Sequence, residues 1–139
     1  MKLEKEFVVA RPRERVASVF DDDATYRALF PDTRVVASRA GVRETVTEYS
    51  ALGARRDIRF VFRTQPDGNL RFEKVCDGNV WRSLEGEVLL QPSGADRTRV
   101  VLRMEGRTRT FVPELAIRGP MKDQLEQMAS ALRERIEEA

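Results

Sequence analysis

The fold is decided by the stretch Met121-Lys122-Asp123-Gln124-Leu125-Glu126-Gln127-Met128-Ala129-Ser130-Ala131-Leu132-Arg133-Glu134-Arg135-Ile136. Its large apolar residues recur at steps of three or four, which places them on one face of an α-helix. Most residues between them are charged or polar and favour water. A long helix with one apolar stripe needs one large apolar surface to cover that stripe. The stripe consists of Met121, Leu125, Met128, Leu132 and Ile136.

The residues before this helix have the pattern of short strands. From Thr33 to Gly106 apolar and polar residues alternate, as in Ile58-Arg59-Phe60-Val61-Phe62, which is typical of half-buried strands. Residues 42–51 form one such segment. Because the connections are short turns, neighbouring strands are expected to be antiparallel. Turn-forming residues occur at Gly41, Gly53, 66–69, 77–79 and 92–96.

A strand and two short helices are expected before this series. Residues 3–10 have strand character, and Val16, Val19 and Phe20 give a short apolar helix face. A second helix is expected over residues 24–30, where Pro31 ends it. Strands and helices are therefore segregated along the chain, which is the pattern of the α+β class.

A sheet of this length must curl to bury its inner face. We therefore expect residues 1–139 to form one domain, in which a curled antiparallel sheet of about seven strands surrounds the long C-terminal helix. The order of elements is β-α-α-β6-α. Gly119-Pro120 is expected to kink or split the closing helix just before its stripe.

The composition excludes several classes of protein. A hydrophobic content of 41% and a charged content of 35% describe a globular chain. No apolar run is long enough for a membrane helix, and the first residues lack the apolar core of a signal peptide. Cys76 is the only cysteine, so an internal disulfide is excluded. A cytoplasmic location is therefore expected. Acidic and basic residues interleave, with a net charge of +2. Nucleic acid is therefore not an expected partner, although Arg103, Arg107 and Arg109 form one weak candidate patch.

The sequence contains no histidine. This excludes Ser-His-Asp and Cys-His catalytic sets and histidine-based metal sites. The run Asp21-Asp22-Asp23 suggests a divalent metal at first sight, but capping of the second short helix is the better interpretation, since aspartate is a favoured N-cap. We expect no metal and no cofactor.

Several short motifs accompany the closing helix. They are the strand running into Ala10-x-Pro12, Glu14-x-Val16, Phe20-Asp21 and the segment from Tyr26 to Leu29-Phe30-Pro31. In these motifs and in the order of its elements, the whole chain resembles the START-like superfamily, which includes polyketide cyclase/dehydrase-like, ubiquinone-binding and pollen-allergen-like proteins. This resemblance implies a helix-grip fold with a hydrophobic cavity between the sheet and the C-terminal helix, and a ligand such as a lipid, quinone, polyketide or hormone. The superfamily has no common catalytic set, and none can be matched here residue by residue.

The inner faces of the strands and of the helix supply the candidate cavity wall. The same residues could instead pack into a filled core, and the sequence leaves this open. Polar groups that could reach a ligand are Tyr26, Tyr49 and Trp81, and Trp81 could equally lie on the outer face. The apolar candidates are Ile58, Phe60, Phe62, Leu70, Phe72, Leu84, Val88, Leu102 and Met104 from the strands, and Leu125, Met128 and Leu132 from the helix.

Strand 42–51 can present either of two faces to the interior. One face carries Glu44 and Glu48, whose carboxylates would make catalysis plausible. The other carries Thr45, Thr47 and Tyr49, and we favour this face as the inner one.

Three functions fit these observations. We favour binding or carriage of a hydrophobic small molecule, because no catalytic constellation is evident. A polyketide cyclase or aromatase is the first alternative, and it would need inward polar groups such as Tyr49, Glu44 or Arg82. An interaction module associated with ribosomes or chaperones is the second. The identity of the ligand and the oligomeric state are left open.

Overall fold

The computed structural model describes residues 1–51, 53–76 and 80–139. Its strands are β1 Lys2–Val9, β2 Thr33–Arg39, β3 Val42–Ala51, β4 Ala54–Thr64, β5 Leu70–Lys74, β6 Trp81–Pro92 and β7 Thr98–Thr108. Its helices are α1 Arg13–Ser18, α2 Asp23–Ala28 and α3 Glu114–Glu138, with a 3-10 turn at Val19–Asp21. The strands form one open antiparallel sheet in the order β1-β7-β6-β5-β4-β3-β2.

This architecture confirms the predicted α+β helix-grip arrangement of seven strands and a long C-terminal helix. The predicted hairpin turn at 66–69 is confirmed, with hydrogen bonds between Gln65 and both Gly68 and Asn69. The predicted turn at 77–79 lies outside the described residues. Within the described part of the chain, no helix is both long enough and apolar enough to cross a membrane.

The predicted stripe on α3 is the main anchor between helix and sheet. Its five residues, Met121, Leu125, Met128, Leu132 and Ile136, are each at most 2% exposed. The helix contacts β1, β7 and α2. Because full burial of such a side chain stabilises a fold by roughly 1.5–3 kcal/mol, the stripe accounts for much of the attachment of this helix.

Gly119-Pro120 was expected to kink or split the closing helix, and the expected split is wrong. Helix α3 runs without interruption from Glu114 to Glu138 and includes Pro120. Proline disfavours a helix partly through a clash with the Cβ of the preceding residue. Gly119 has no Cβ, and its surroundings are open, so this part of the clash is absent.

The short helices close one end of the sheet. The Asp22 carboxylate accepts a hydrogen bond of 2.9 Å from the Ala24 amide and is the N-cap of α2, so the capping interpretation is confirmed. Arg43 on β3 donates to the neighbouring Asp23 carboxylate at 2.6 Å. That hydrogen bond lowers the pKa of Asp23. These contacts fix α2 against the hairpin of β2 and β3.

The inner face of β3 is the threonine face, as predicted. Thr45 and Thr47 are buried, and the Thr47 hydroxyl lies 2.7 Å from the Thr33 hydroxyl. Glu48 instead forms exposed ion pairs with Arg34 at 3.0 Å and Arg55 at 3.1 Å. The alternative in which two carboxylates of this strand enter the interior is therefore excluded.

Two aromatic rings lie directly over glycines of the sheet. Phe72 on β5 covers Gly86 on β6, and Trp81 on β6 covers Gly106 on β7. Any side chain at either glycine would occupy the place of the ring. The glycines therefore set the positions of both rings, and the position of Trp81 matters for the cavity described next.

Candidate ligand-binding cavity

A cavity of about 740 Å³ lies between the first half of α3 and the adjoining ends of strands β3, β4, β5 and β6. Its walls combine a large apolar surface with a few polar groups. Such a volume is in the range of small-molecule sites. The lining residues are Phe30, Pro31, Asp32, Thr47, Glu48, Tyr49, Ile58, Phe60, Lys74, Val80, Trp81, Leu84, Ile117, Pro120, Met121 and Gln124.

The cavity ends where aromatic packing begins. Phe60 contacts Phe62 and Phe72 with ring centroids 6.0 and 6.2 Å apart, and Tyr26 contacts Phe62 at 5.1 Å. This cluster fills the end of the interior near α2. On its other side Phe60 stacks on Phe30 at 6.2 Å, and both rings line the cavity. The interior is therefore filled at one end and hollow at the other.

The structure brings some of the predicted site residues to the cavity. Phe60, Leu84, Tyr49 and Trp81 line it, as does Ile58. Trp81 is 9% exposed, so it lies on the inner face of the sheet and not on the outer face. Tyr49 is 37% exposed. The remaining apolar candidates belong to the buried core and are not among the described lining residues, so their contact with a ligand stays a prediction. They are Phe62, Leu70, Phe72, Val88, Leu102, Met104, Leu125, Met128 and Leu132.

Tyr26 is buried outside the cavity lining. Its hydroxyl donates a hydrogen bond of 2.7 Å to the Phe20 carbonyl, and the Arg43 guanidinium lies 5.9 Å from the ring centroid. Burial raises the pKa of Tyr26 to about 12. These contacts indicate that Tyr26 holds α2 against the sheet.

We expect Tyr26→Phe to lower the free energy of unfolding by about 1 kcal/mol at neutral pH, because the Phe20 carbonyl loses its donor. The natural chain should also lose roughly 2–3 kcal/mol between pH 10 and pH 12, since the unfolded tyrosine ionises near 10 and the folded one near 12. This stability is complete below pH 10 and disappears as the pH rises through 12. Urea titrations across that interval should show the loss in the natural chain and a smaller loss in the variant. Equal losses in both would contradict this account.

Several lining residues were not anticipated from the sequence. Lys74 is only 8% exposed and follows Leu70 and Phe72 on the inner face of β5. The alternation of apolar and polar residues along β5 places position 74 on that face. This alternation was the signal in the sequence from which an inward Lys74 could have been predicted. Of the lining residues that the structure describes, Lys74 alone is basic. Asp32 has a left-handed φ of 56° and lies in the loop of Phe30 and Pro31, which also line the cavity.

The part of α3 that lines this cavity lies closer to the start of the helix than the predicted residues Leu125, Met128 and Leu132. Ile117, Pro120, Met121 and Gln124 line the cavity, and they begin one turn before the apolar stripe. The stripe residues beyond Leu125 pack into the filled end of the interior.

A larger depression of about 1000 Å³ lies on the outer face of the sheet. Several of its charged side chains pair with one another, as in Arg63 with Glu73 at 2.7 Å. Arg103 likewise pairs with Glu4 at 3.1 Å and Glu87 at 3.6 Å. Such cross-strand pairs are typical of a solvated sheet face. The cavity under α3 is therefore the better candidate for a ligand site.

Comparison with known proteins identifies the fold. The Zhui aromatase/cyclase from Streptomyces sp. R1128 superposes with a TM-score of 0.74 at 18% identity, over 99% of this chain and 92% of that one. A START superfamily protein from Mycobacterium smegmatis gives 0.72 at 19%, over 99% and 97%. A STAR-related lipid transfer protein from Xanthomonas axonopodis gives 0.67 at 20%, over 98% and 85%. The chain therefore has the START-like, polyketide cyclase-like fold. No family model and no curated protein matches the sequence.

Proposed function

We propose that this protein binds a hydrophobic small molecule in the cavity between α3 and the sheet. The observation that carries the proposal is a hollow of about 740 Å³ with aromatic and aliphatic walls, beside a buried hydrophobic core. Burial of apolar ligand surface against Phe60, Trp81 and Leu84 would provide most of the affinity. The similarity in fold to a lipid transfer protein and to an aromatase/cyclase supports this proposal.

The polar groups in the wall favour an amphipathic ligand over a pure hydrocarbon. Lys74 on β5 and Gln124 on α3 offer donors, and Thr47 and Tyr49 offer hydroxyl groups. An apolar enclosure with a few polar groups fixes the orientation of a ligand. A lipid, a quinone or a polyketide-like aromatic compound has the required combination of a large apolar body and a few oxygen atoms.

The proposal is tested by asking what the purified protein binds. Native mass spectrometry after gentle purification would reveal a retained ligand, and thermal-shift measurements would compare a fatty acid, a quinone and a polyphenol. We expect at least one of these compounds to raise the melting temperature in a concentration-dependent manner. If none binds and an experimental structure shows side chains filling the cavity, the proposal fails.

A polyketide cyclase or aromatase activity is the second candidate. It is favoured by a basic and an acidic group beside one cavity, namely Lys74 and Asp32. Two groups considered from the sequence do not serve it, because Glu44 pairs with Arg39 at 3.4 Å and Arg82 is exposed and donates to the Thr110 hydroxyl. Conversion of a model polyketide that is lost in Lys74→Met, with binding retained, would favour this candidate over simple binding.

A further inference from the structure

Two large apolar side chains protrude into solvent at the beginning of α3. Phe111 is 96% exposed and Leu115 is 86% exposed, while the other large exposed hydrophobic residues range from 37% to 48%. Scattered apolar residues on a surface are ordinary. It is unusual for two large apolar side chains, four positions apart, to be almost completely exposed. Such a pair indicates a surface that is covered by a partner.

These side chains lie beside the proposed ligand site. Leu115 belongs to the same turn of α3 as Ile117, whose side chain lines the cavity. Positions 115 and 118 are three apart and share one face of the helix, and both residues are exposed. Positions 117 and 121 are four apart and share the neighbouring face, which lines the cavity. A partner that covers Phe111 and Leu115 would therefore contact the helix segment that encloses the cavity.

Four arginines lie at the start of β6, at the end of β7 and on the first turns of α3, which are the segments next to this apolar pair. Arg82, Arg107, Arg109 and Arg118 are exposed, and none of them forms an ion pair with any residue that the structure describes. Arg82 donates to Thr110 at 3.1 Å, next to Phe111. The acidic residue of this segment, Glu114, lies 3.8 Å from the amino group of Met1.

Three arginines of the outer sheet face provide a contrast. Arg63, Arg99 and Arg103 are each paired with glutamate. The three residues of the candidate patch therefore differ. Arg103 is held in ion pairs, whereas Arg107 and Arg109, near Phe111 in the sequence, form none with the described residues and could bind an anionic partner.

We propose that this end of the molecule, formed by Phe111, Leu115 and the four arginines, binds the surface of an anionic lipid bilayer. The proposal rests on the proposed function and deepens it, since the bilayer would be the source or the destination of the hydrophobic ligand. Apolar side chains enter the boundary between head groups and acyl chains, and basic side chains are attracted to anionic lipids. A nucleic acid fits less well, because Leu115 cannot stack on a base.

The test is cosedimentation with vesicles of phosphatidylcholine alone and of equimolar phosphatidylcholine and phosphatidylglycerol. We expect binding to the anionic vesicles, and Phe111→Ser/Leu115→Ser should weaken it by at least about tenfold. Arg107→Gln/Arg109→Gln should weaken it by about tenfold or more. The matched controls are Val36→Ser, at an exposed apolar position of β2, and Arg63→Gln/Arg99→Gln, on the paired outer face. Both controls should bind as the natural chain does.

Three results would overturn the proposal. The first is equal sedimentation of the natural chain with neutral and anionic vesicles, or none with either. The second is tight binding of an RNA oligonucleotide that depends on Arg107 and Arg109 but not on Phe111 and Leu115. The third is a dimer, detected by light scattering, that Phe111→Ser/Leu115→Ser converts to a monomer. Uptake of a fluorescent hydrophobic probe in solution reports separately on the cavity, so loss of vesicle binding with retained uptake would reject only the membrane proposal.

Discussion

The double variant Ile58→Trp/Ile117→Trp is expected to bind the hydrophobic fluorescent probe 1-anilinonaphthalene-8-sulfonate at least about 100-fold more weakly than the natural chain, a loss of about 2.7 kcal/mol. Ile58 lines the cavity from β4 and Ile117 lines it from α3. Two indole rings introduced from opposite walls would occupy the space that a ligand needs. Since both isoleucines are only partly buried and border open volume, the larger side chains should be accommodated without unfolding.

The control for this variant is Val36→Trp/Ala116→Trp. These positions lie on a strand and on α3, as the cavity pair does, but both are exposed. Probe titrations should show natural affinity for the control, and circular dichroism should show the same secondary structure for all three proteins. Natural affinity in the cavity variant would mean that the probe binds elsewhere, and the proposed ligand site would have to be abandoned.

The second large effect is expected at a glycine of the sheet. Gly86→Ala should lower the free energy of unfolding by about 3 kcal/mol or more, because overpacking a core forces the backbone to move. The added methyl group would lie 2.5 Å from the Arg103 carbonyl oxygen and would also overlap the Phe72 ring. The ring could move, but the carbonyl belongs to β7, which is paired with β6 along its length.

Gly119→Ala is the matched change with a small expected effect. Apart from the backbone of its own helix and its chain neighbours, nothing lies within 4 Å of a methyl group at this position. Alanine in a helix is more stable than glycine by about 1 kcal/mol, and the contact of its Cβ with the Pro120 ring opposes that gain. Guanidinium titrations should therefore show that Gly86→Ala lowers the midpoint far more than Gly119→Ala does. A neutral or stabilising Gly86→Ala would show that β6 and β7 are farther apart than the structure places them.

The fold could be predicted from the sequence because its main signals are periodic. The stripe from Met121 to Ile136 and the alternation in Ile58-Arg59-Phe60-Val61-Phe62 each specify an element and its buried face. The threonine face of β3 followed from the same reasoning. The periodicity of apolar residues predicts which face of a helix or strand is buried, and the structure buries the predicted faces of these elements.

The location of the cavity could not be predicted, because burial and contact with a hollow produce the same apolar pattern. Leu125, Met128 and Leu132 have the spacing of a cavity wall, yet they pack into the core. Ile117 lies outside the main stripe, and Pro120 carries a signal for a helix break, yet both line the hollow. Lys74 was missed because a lysine at the end of a strand ordinarily indicates solvent. These distinctions depend on which side chains meet across the interior, and that requires the tertiary structure.

The division of the interior into a filled end and a hollow end has an evolutionary consequence. The second half of α3, with Met128, Leu132 and Ile136, carries the burial that holds the helix on the sheet. In the first half, Ile117 and Gln124 are only partly buried and border open volume. Substitutions at these two positions can change the selectivity of the proposed ligand site at a small cost in stability, so descendants of this chain could acquire new ligands without compensating mutations in the core.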